Sequence, residues 1–116
     1  MHTTTNIRLK MRHGRRVAEY RTATPGQPVR WLVMDVAQAE AQLSQQAKAS
    51  VAAKVKEWHR TARQGFAPDM VRVPYLVRIT EGARVVIGVN HLRVGLPVGH
   101  SHTNYQGATV EVLEAL

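Results

Sequence analysis

Residues 7–12 read IRLKMR, with Arg8, Lys10 and Arg12 alternating with Ile7, Leu9 and Met11. In an extended chain this alternation sets three cations in one row, about 7 Å apart. Phosphates along a nucleic-acid strand repeat on a similar scale. Arg15 and Arg16 carry the row into a turn, and Arg21 returns beside it if the chain reverses at His13 and Gly14. Guanidinium groups make charge-assisted, often bidentate hydrogen bonds to phosphate, and a two-stranded ribbon can enter a duplex groove. The same residues could simply be the solvated face of a strand, where basic side chains also protect an edge from aggregation. Cations in a row repel one another, however, and only Glu19 lies close in sequence to offset them. That repulsion favours a phosphate-binding surface.

A second basic group, Lys56, Arg60 and Arg63, recurs at spacings of four and three, with Lys48 and Lys54 behind it. Cations in the last turns of a helix complement its dipole, which is a sufficient structural reason for Arg60 and Arg63. If this group adjoined the N-terminal ribbon, the two would form one cationic groove.

Other chemistry is poorly supplied. His100 and His102 flank Ser101, and His91 lies nine residues earlier, so three imidazoles could in principle hold a divalent ion. No carboxylate falls between Glu81 and Glu111 to complete such a set, and no metal or other cofactor is expected. Asp35 serves better as a helix cap, Asp69 falls in a loop, and the six glutamates are scattered. There is no G-x-S-x-G elbow. No catalytic residues are assigned, and a non-enzymatic protein is expected. Trp58 and Tyr75 fall on apolar faces, and nothing groups Tyr20, Trp31 and Tyr105. Backbone contact with a duplex is therefore favoured over base stacking on a sheet.

Composition bounds these readings. In 116 residues, sixteen Lys and Arg oppose eight Asp and Glu, a formal excess of eight positive charges. Most of the cations are arginine, and such a surface attracts polyanions and speeds their encounter. There is no cysteine, which removes disulfides, thiol nucleophiles and thiolate zinc sites. No apolar run approaches the roughly 20 residues of a membrane span, and MHTTTNIRLK lacks the apolar core of a signal peptide. A cytoplasmic setting without membrane attachment is expected.

The elements that must position these groups follow from periodicity. Residues 7–12 and 17–22 form a hairpin, Thr24–Pro28 is a loop, and residues 29–33 form a third strand or lead into the helix. Asp35 can cap a helix, with Gln38 completing a pair resembling a capping box. Val36, Ala39, Leu43, Ala47, Val51, Val55, Trp58 and Ala62 then make one apolar stripe. Gly65 and Pro68 should stop the helix near Gln64, giving a rod roughly 40 Å long over residues 35–64. Further on, Val71, Val73, Tyr75, Val77 and Ile79 alternate with Arg72, Pro74, Leu76, Arg78 and Thr80 up to a turn at Glu81-Gly82. Ala83, Val85, Ile87 and Val89 are expected to continue the same inward set. Pro74 implies an edge or bulge. Residues 91–98 are expected to form a further strand, residues 99–107 a loop, and residues 109–113 the last strand.

Together these features predict one α+β domain over residues 1–116, its first five residues disordered. An N-terminal β-hairpin and one long α-helix (35–64) would pack on a mainly antiparallel sheet completed by C-terminal strands. The expected function is binding of nucleic acid, DNA more than RNA, as in an accessory factor of a bacterium or phage. Arg8, Lys10, Arg12, Arg15, Arg16, Arg21, Lys56, Arg60 and Arg63 would supply the contacts. The alternative is an inhibitor or adaptor docking on an acidic protein surface. A homodimer through the helix or an edge strand is compatible with either.

Overall fold

A computed structural model describes residues 6–62 and 71–116. The expectations for the first five residues, for Arg63 and for the helix stop at Gln64, Gly65 and Pro68 lie outside the described residues. The elements run β1 (Ile7–Arg12), β2 (Arg15–Arg21), β3 (Trp31–Met34), α1 (Val36–Ala62), β4 (Arg72–Glu81), β5 (Arg84–Arg93), β6 (Ser101–Thr103) and β7 (Thr109–Ala115). All seven strands join one antiparallel sheet in the order β3-β2-β1-β5-β4-β7-β6, with α1 laid on one face. This is the α+β arrangement that the periodicities imply.

Local chemistry explains the main features. His13 and Gly14 form the β1–β2 turn with φ of 52° and 76°, two left-handed residues as a type I′ turn requires. Asp35 caps α1, its Oδ2 accepting the Gln38 backbone N–H at 3.0 Å. The register of β4 against β7 shifts between Leu76 and Val77, the irregularity expected near Pro74.

The packing departs from expectation in one respect that governs the whole molecule. The β4–β5 turn is Gly82-Ala83, so Glu81 faces Arg84 and odd positions on β4 pair with even positions on β5. Val73, Tyr75, Val77 and Ile79 therefore share a face with Val86, Gly88 and Leu92. Val85, Ile87 and Val89 point the other way. The expectation of one inward set running through both arms is corrected by this parity: a two-residue loop cannot preserve it.

The sheet in consequence carries a core on each face, and β4 is buried on both, with Pro74 and Leu76 on the α1 side. Under α1, Leu9, Ala18, Val85 and Ala39 form one core with Ile7, Met11, Met34, Val36, Leu43 and Ile87 around it. On the opposite face Tyr75, Val77, Val110 and Val112 form a second core with Val73, Ile79, Leu92 and Leu96. The segment after β5 folds over this second core. The Tyr75 hydroxyl donates to the Arg93 carbonyl at 2.9 Å and accepts the Leu96 N–H at 3.2 Å. Residues 91–93 are thus the end of β5, and turns rather than a strand follow. Ser101–Thr103 pairs with β7 as β6 within the stretch expected to be loop.

Candidate nucleic-acid interface

The β1–β2 register divides the basic residues between the two faces. Leu9 opposes Ala18 in the core, so Arg8, Lys10 and Arg12 stand on the face away from α1, as the alternation predicts. Arg15 and Arg21 share that outer face, and Arg84 joins it because Lys10 pairs with it across β5. No signal in the ribbon itself points to Arg84; only the pairing of distant strands brings it in.

Arg16 goes the other way. It opposes Met11, lies on the α1 side and forms an ion pair with Glu40 of the helix. Arg16 therefore leaves the expected row, because two consecutive strand residues cannot share a face.

The row is also partly neutralised. Glu19 opposes Arg8 in the register and accepts its Nε–H at 2.8 Å, while Lys10 Nζ lies 3.4 Å from the same carboxylate oxygen. These two cations, with the Arg8 hydrogen bond dominant, hold the Glu19 carboxyl below the usual carboxylate range. The Arg8 guanidinium also stacks 3.9 Å from the Trp31 ring centroid, so Trp31 is already engaged. Tyr105 is 97% exposed, but it stands in the turn before β7, away from the ribbon.

Arg12, Arg15, Arg21 and Arg84 make no ion pair among the described residues. Arg12 directly opposes Arg15, and Lys10 opposes Arg84. Like charges at facing positions destabilise a sheet. Glu81 sits across from Arg84 on the far side, but no ion pair joins them. The outer face of the ribbon thus carries the uncompensated Arg12, Arg15 and Arg84 toward the turn, and beyond them Lys10 and Arg8, which share Glu19.

The helix cations do not extend this surface. Helix α1 packs on the face bearing Ile7, Leu9 and Met11, so the sheet itself stands between Lys56, Arg60 and the outer row. Arg60 is in addition held by Glu57 one turn back, which raises the Arg60 pKa and lowers that of Glu57. The single groove considered from sequence does not form among the described residues.

The histidines are likewise apart. The His91 ring meets Trp58 edge-on, with centroids 4.1 Å apart, on the α1 side of the sheet. His102 opposes Val110 and so lies on the other face, its ring 5.8 Å from that of His100. Among the described residues no three His, Asp or Glu side chains converge as a metal site. No described helix is long and apolar enough to cross a membrane.

Glu19 acts as an internal counter-charge, and its removal gives a direct prediction. Glu19→Gln keeps the side-chain shape but leaves Arg8 and Lys10 without their counter-charge, so the midpoint of urea unfolding at neutral pH will fall. Because the pKa of Glu19 is lowered in the folded state, its stabilising pairing is complete above the ordinary carboxylate range and is lost as pH falls through the lowered value. The fall in stability over that interval should be smaller in Glu19→Gln, as read by urea unfolding at a series of pH values.

Comparison with protein-family models, curated proteins and solved structures finds no match for this chain.

Proposed function

We propose that the protein binds nucleic acid, without catalysing a reaction on it, through the outer face of the β1–β2 ribbon. The observation that carries this reading is the facing like-charge contact of Arg12 with Arg15, with Arg84 beside it, on a face of the ribbon that no described segment covers. Such pairs cost stability in the free protein, and a phosphate placed between them would relieve the repulsion. Arg12, Arg15, Arg21 and Arg84 are the primary contacts. Arg8 and Lys10 contribute to the extent that they leave Glu19. Lys56 and Arg60, across the sheet, take no part in the same contact.

DNA duplex is preferred to a single strand because the surface offers guanidinium groups without a row of free aromatic rings. The setting would be cytoplasmic. A second copy, where it forms, would add at the helix or at edge strand β3, whose Leu32 and Val33 are exposed.

The test is a salt titration of duplex binding with unrelated sequences. The affinity should fall linearly in a log–log plot, and Arg12→Ala with Arg15→Ala should flatten the slope by about 2 while the fold is unchanged by circular dichroism. An unaltered slope and affinity in the double variant would remove the ribbon from consideration. The competing partner for this face, an acidic protein surface, would show binding to one protein and none to unrelated duplexes.

A further inference from the structure

Strands β1 and β5 pair only at Leu9–Val85 and Lys10–Arg84, although β5 continues to Arg93. Past that point the two strands part and border a groove of about 990 Å³ floored by α1. Its walls are Ile7 and Arg8 on one side and Ile87, Gly88 and Val89 on the other, above Ala47 and Val51 of the helix. Val51 and Val55 are only half-buried, and Ala39 is the one fully buried residue of α1. The helix seam is thus incompletely covered where it passes this gap.

The backbone gives the gap its character. In a hairpin closed by two residues, Glu81–Arg84 is a hydrogen-bonded pair, and such pairs recur at every second position. Even-numbered residues of β5 therefore bond to β4. Ile87 and Val89 direct their N–H and C=O groups away from β4, beyond the end of the β1 ladder, where no strand among the described residues pairs with them. An open edge of this kind takes another extended peptide chain, since only a second backbone matches its alternating donors and acceptors.

The side chains define what that peptide must carry. A strand added beside β5 would turn the residues facing Ile87 and Val89 toward α1, into the apolar part of the groove. The residue facing Gly88 would turn to the outer side. There Gly88 has no Cβ, and one built on it would meet no atom within 4 Å. The charged residues bordering the groove are Arg8, whose guanidinium is held by Glu19, and Arg84, four residues before Gly88 on β5. We propose that this gap receives an extended segment of an acidic partner protein, with apolar residues facing Ile87 and Val89 and a carboxylate set over Gly88, on the outer face that also carries Lys10, Arg12, Arg15 and Arg84. A second copy of this chain fits poorly, because its exposed edge strand β3, reading WLVM, offers no acid and its net charge is +8.

This inference does not depend on the nucleic-acid reading, and its test uses different readouts. The probe is a short synthetic peptide of alternating valine and glutamate, compared with the same peptide N-methylated on alternate backbone nitrogens and with a valine–lysine version. The unmodified acidic peptide should bind saturably and slow amide exchange at Ile87 and Val89. N-methylation or the lysine version should weaken binding by about tenfold or more. Arg84→Ala, an exposed position, should weaken the acidic peptide without disturbing the fold, and Ala47→Phe should obstruct the groove floor. If Ala47→Phe fails to fold, Arg84→Ala and the N-methyl comparison still decide the matter. Equal binding of the N-methylated peptide, or unchanged exchange at Ile87 and Val89, would overturn the proposal. So would protection of those amides that rises with protein concentration alone, which would identify a second copy as the occupant.

Discussion

Arg78→Ala should lower the stability of the folded protein by about 3 kcal/mol, shifting the melting midpoint by on the order of 10 °C. Arg78 projects from β4 toward α1, where it pairs with Glu40 of the helix and Glu111 of β7. Its side chain and that of Glu40 are each only 15% exposed. Removing one member of a buried pair leaves the other desolvated, and that stranded charge accounts for most of the cost. Glu40 would keep Arg16 as a partner, which places the effect at the lower end of the usual range. The outer members, Arg16 and Glu111, are 38% and 37% exposed at the side chain and can turn to water. The double replacement Glu40→Leu with Arg78→Met should therefore recover most of the loss in a urea denaturation series. A double variant as weak as the single one would show that the network contributes more than the avoidance of a stranded charge.

Val77→Asp should prevent folding at ordinary temperature, at a cost of about 4 kcal/mol or more, whereas Val51→Asp should cost only about 1–2 kcal/mol. Both are valines in apolar stripes, and the sequence pattern alone does not rank them. Their surroundings in the fold do. Val77 has no exposed surface and packs with Tyr75, Val110 and Val112, so a carboxylate there would have neither water nor a partner. Val51 borders the open groove, where a carboxylate can reach solvent. Far-ultraviolet circular dichroism on both variants would separate the cases, and comparable losses would mean that the groove closes in solution.

What could be read from the sequence was what depends on neighbours in the chain. The alternation of Ile7, Leu9 and Met11 with Arg8, Lys10 and Arg12 assigns two faces without any knowledge of the sheet, and Asp35 announces the start of α1. What could not be read depends on partners far along the chain. The two arms of β4–β5 each display a clean period of two, but the faces they share are decided by the number of residues in the loop. Any two-residue loop, at Glu81-Gly82 or at Gly82-Ala83, sends Val85 and Val77 to opposite sides, whereas a three-residue loop would keep them together. In the basic ribbon the same parity rule assigns Arg16 to the helix side, a conclusion that was available from its adjacency to Arg15. The arrival of Arg84 beside Lys10, and the separation of Lys56 and Arg60 from the row by a whole sheet, rest on strand order and had no local signature.

The short ladder between β1 and β5 has a mechanical consequence. A strip of β1, β2 and β3 is joined to the four-strand remainder by two residue pairs, by the Met11 N–H donating to the Ala83 carbonyl and by the N-terminal half of α1. The Tyr75–Val112 cluster needs nothing from the strip, but the cluster under α1 joins Leu9 and Ala18 of the strip to Val85 and Ile87 of β5. The leading wing can therefore lift only by breaking that shared cluster, so its opening costs apolar burial as well as the short ladder. The arginine-bearing face is carried on a clamped plate rather than on a free flap.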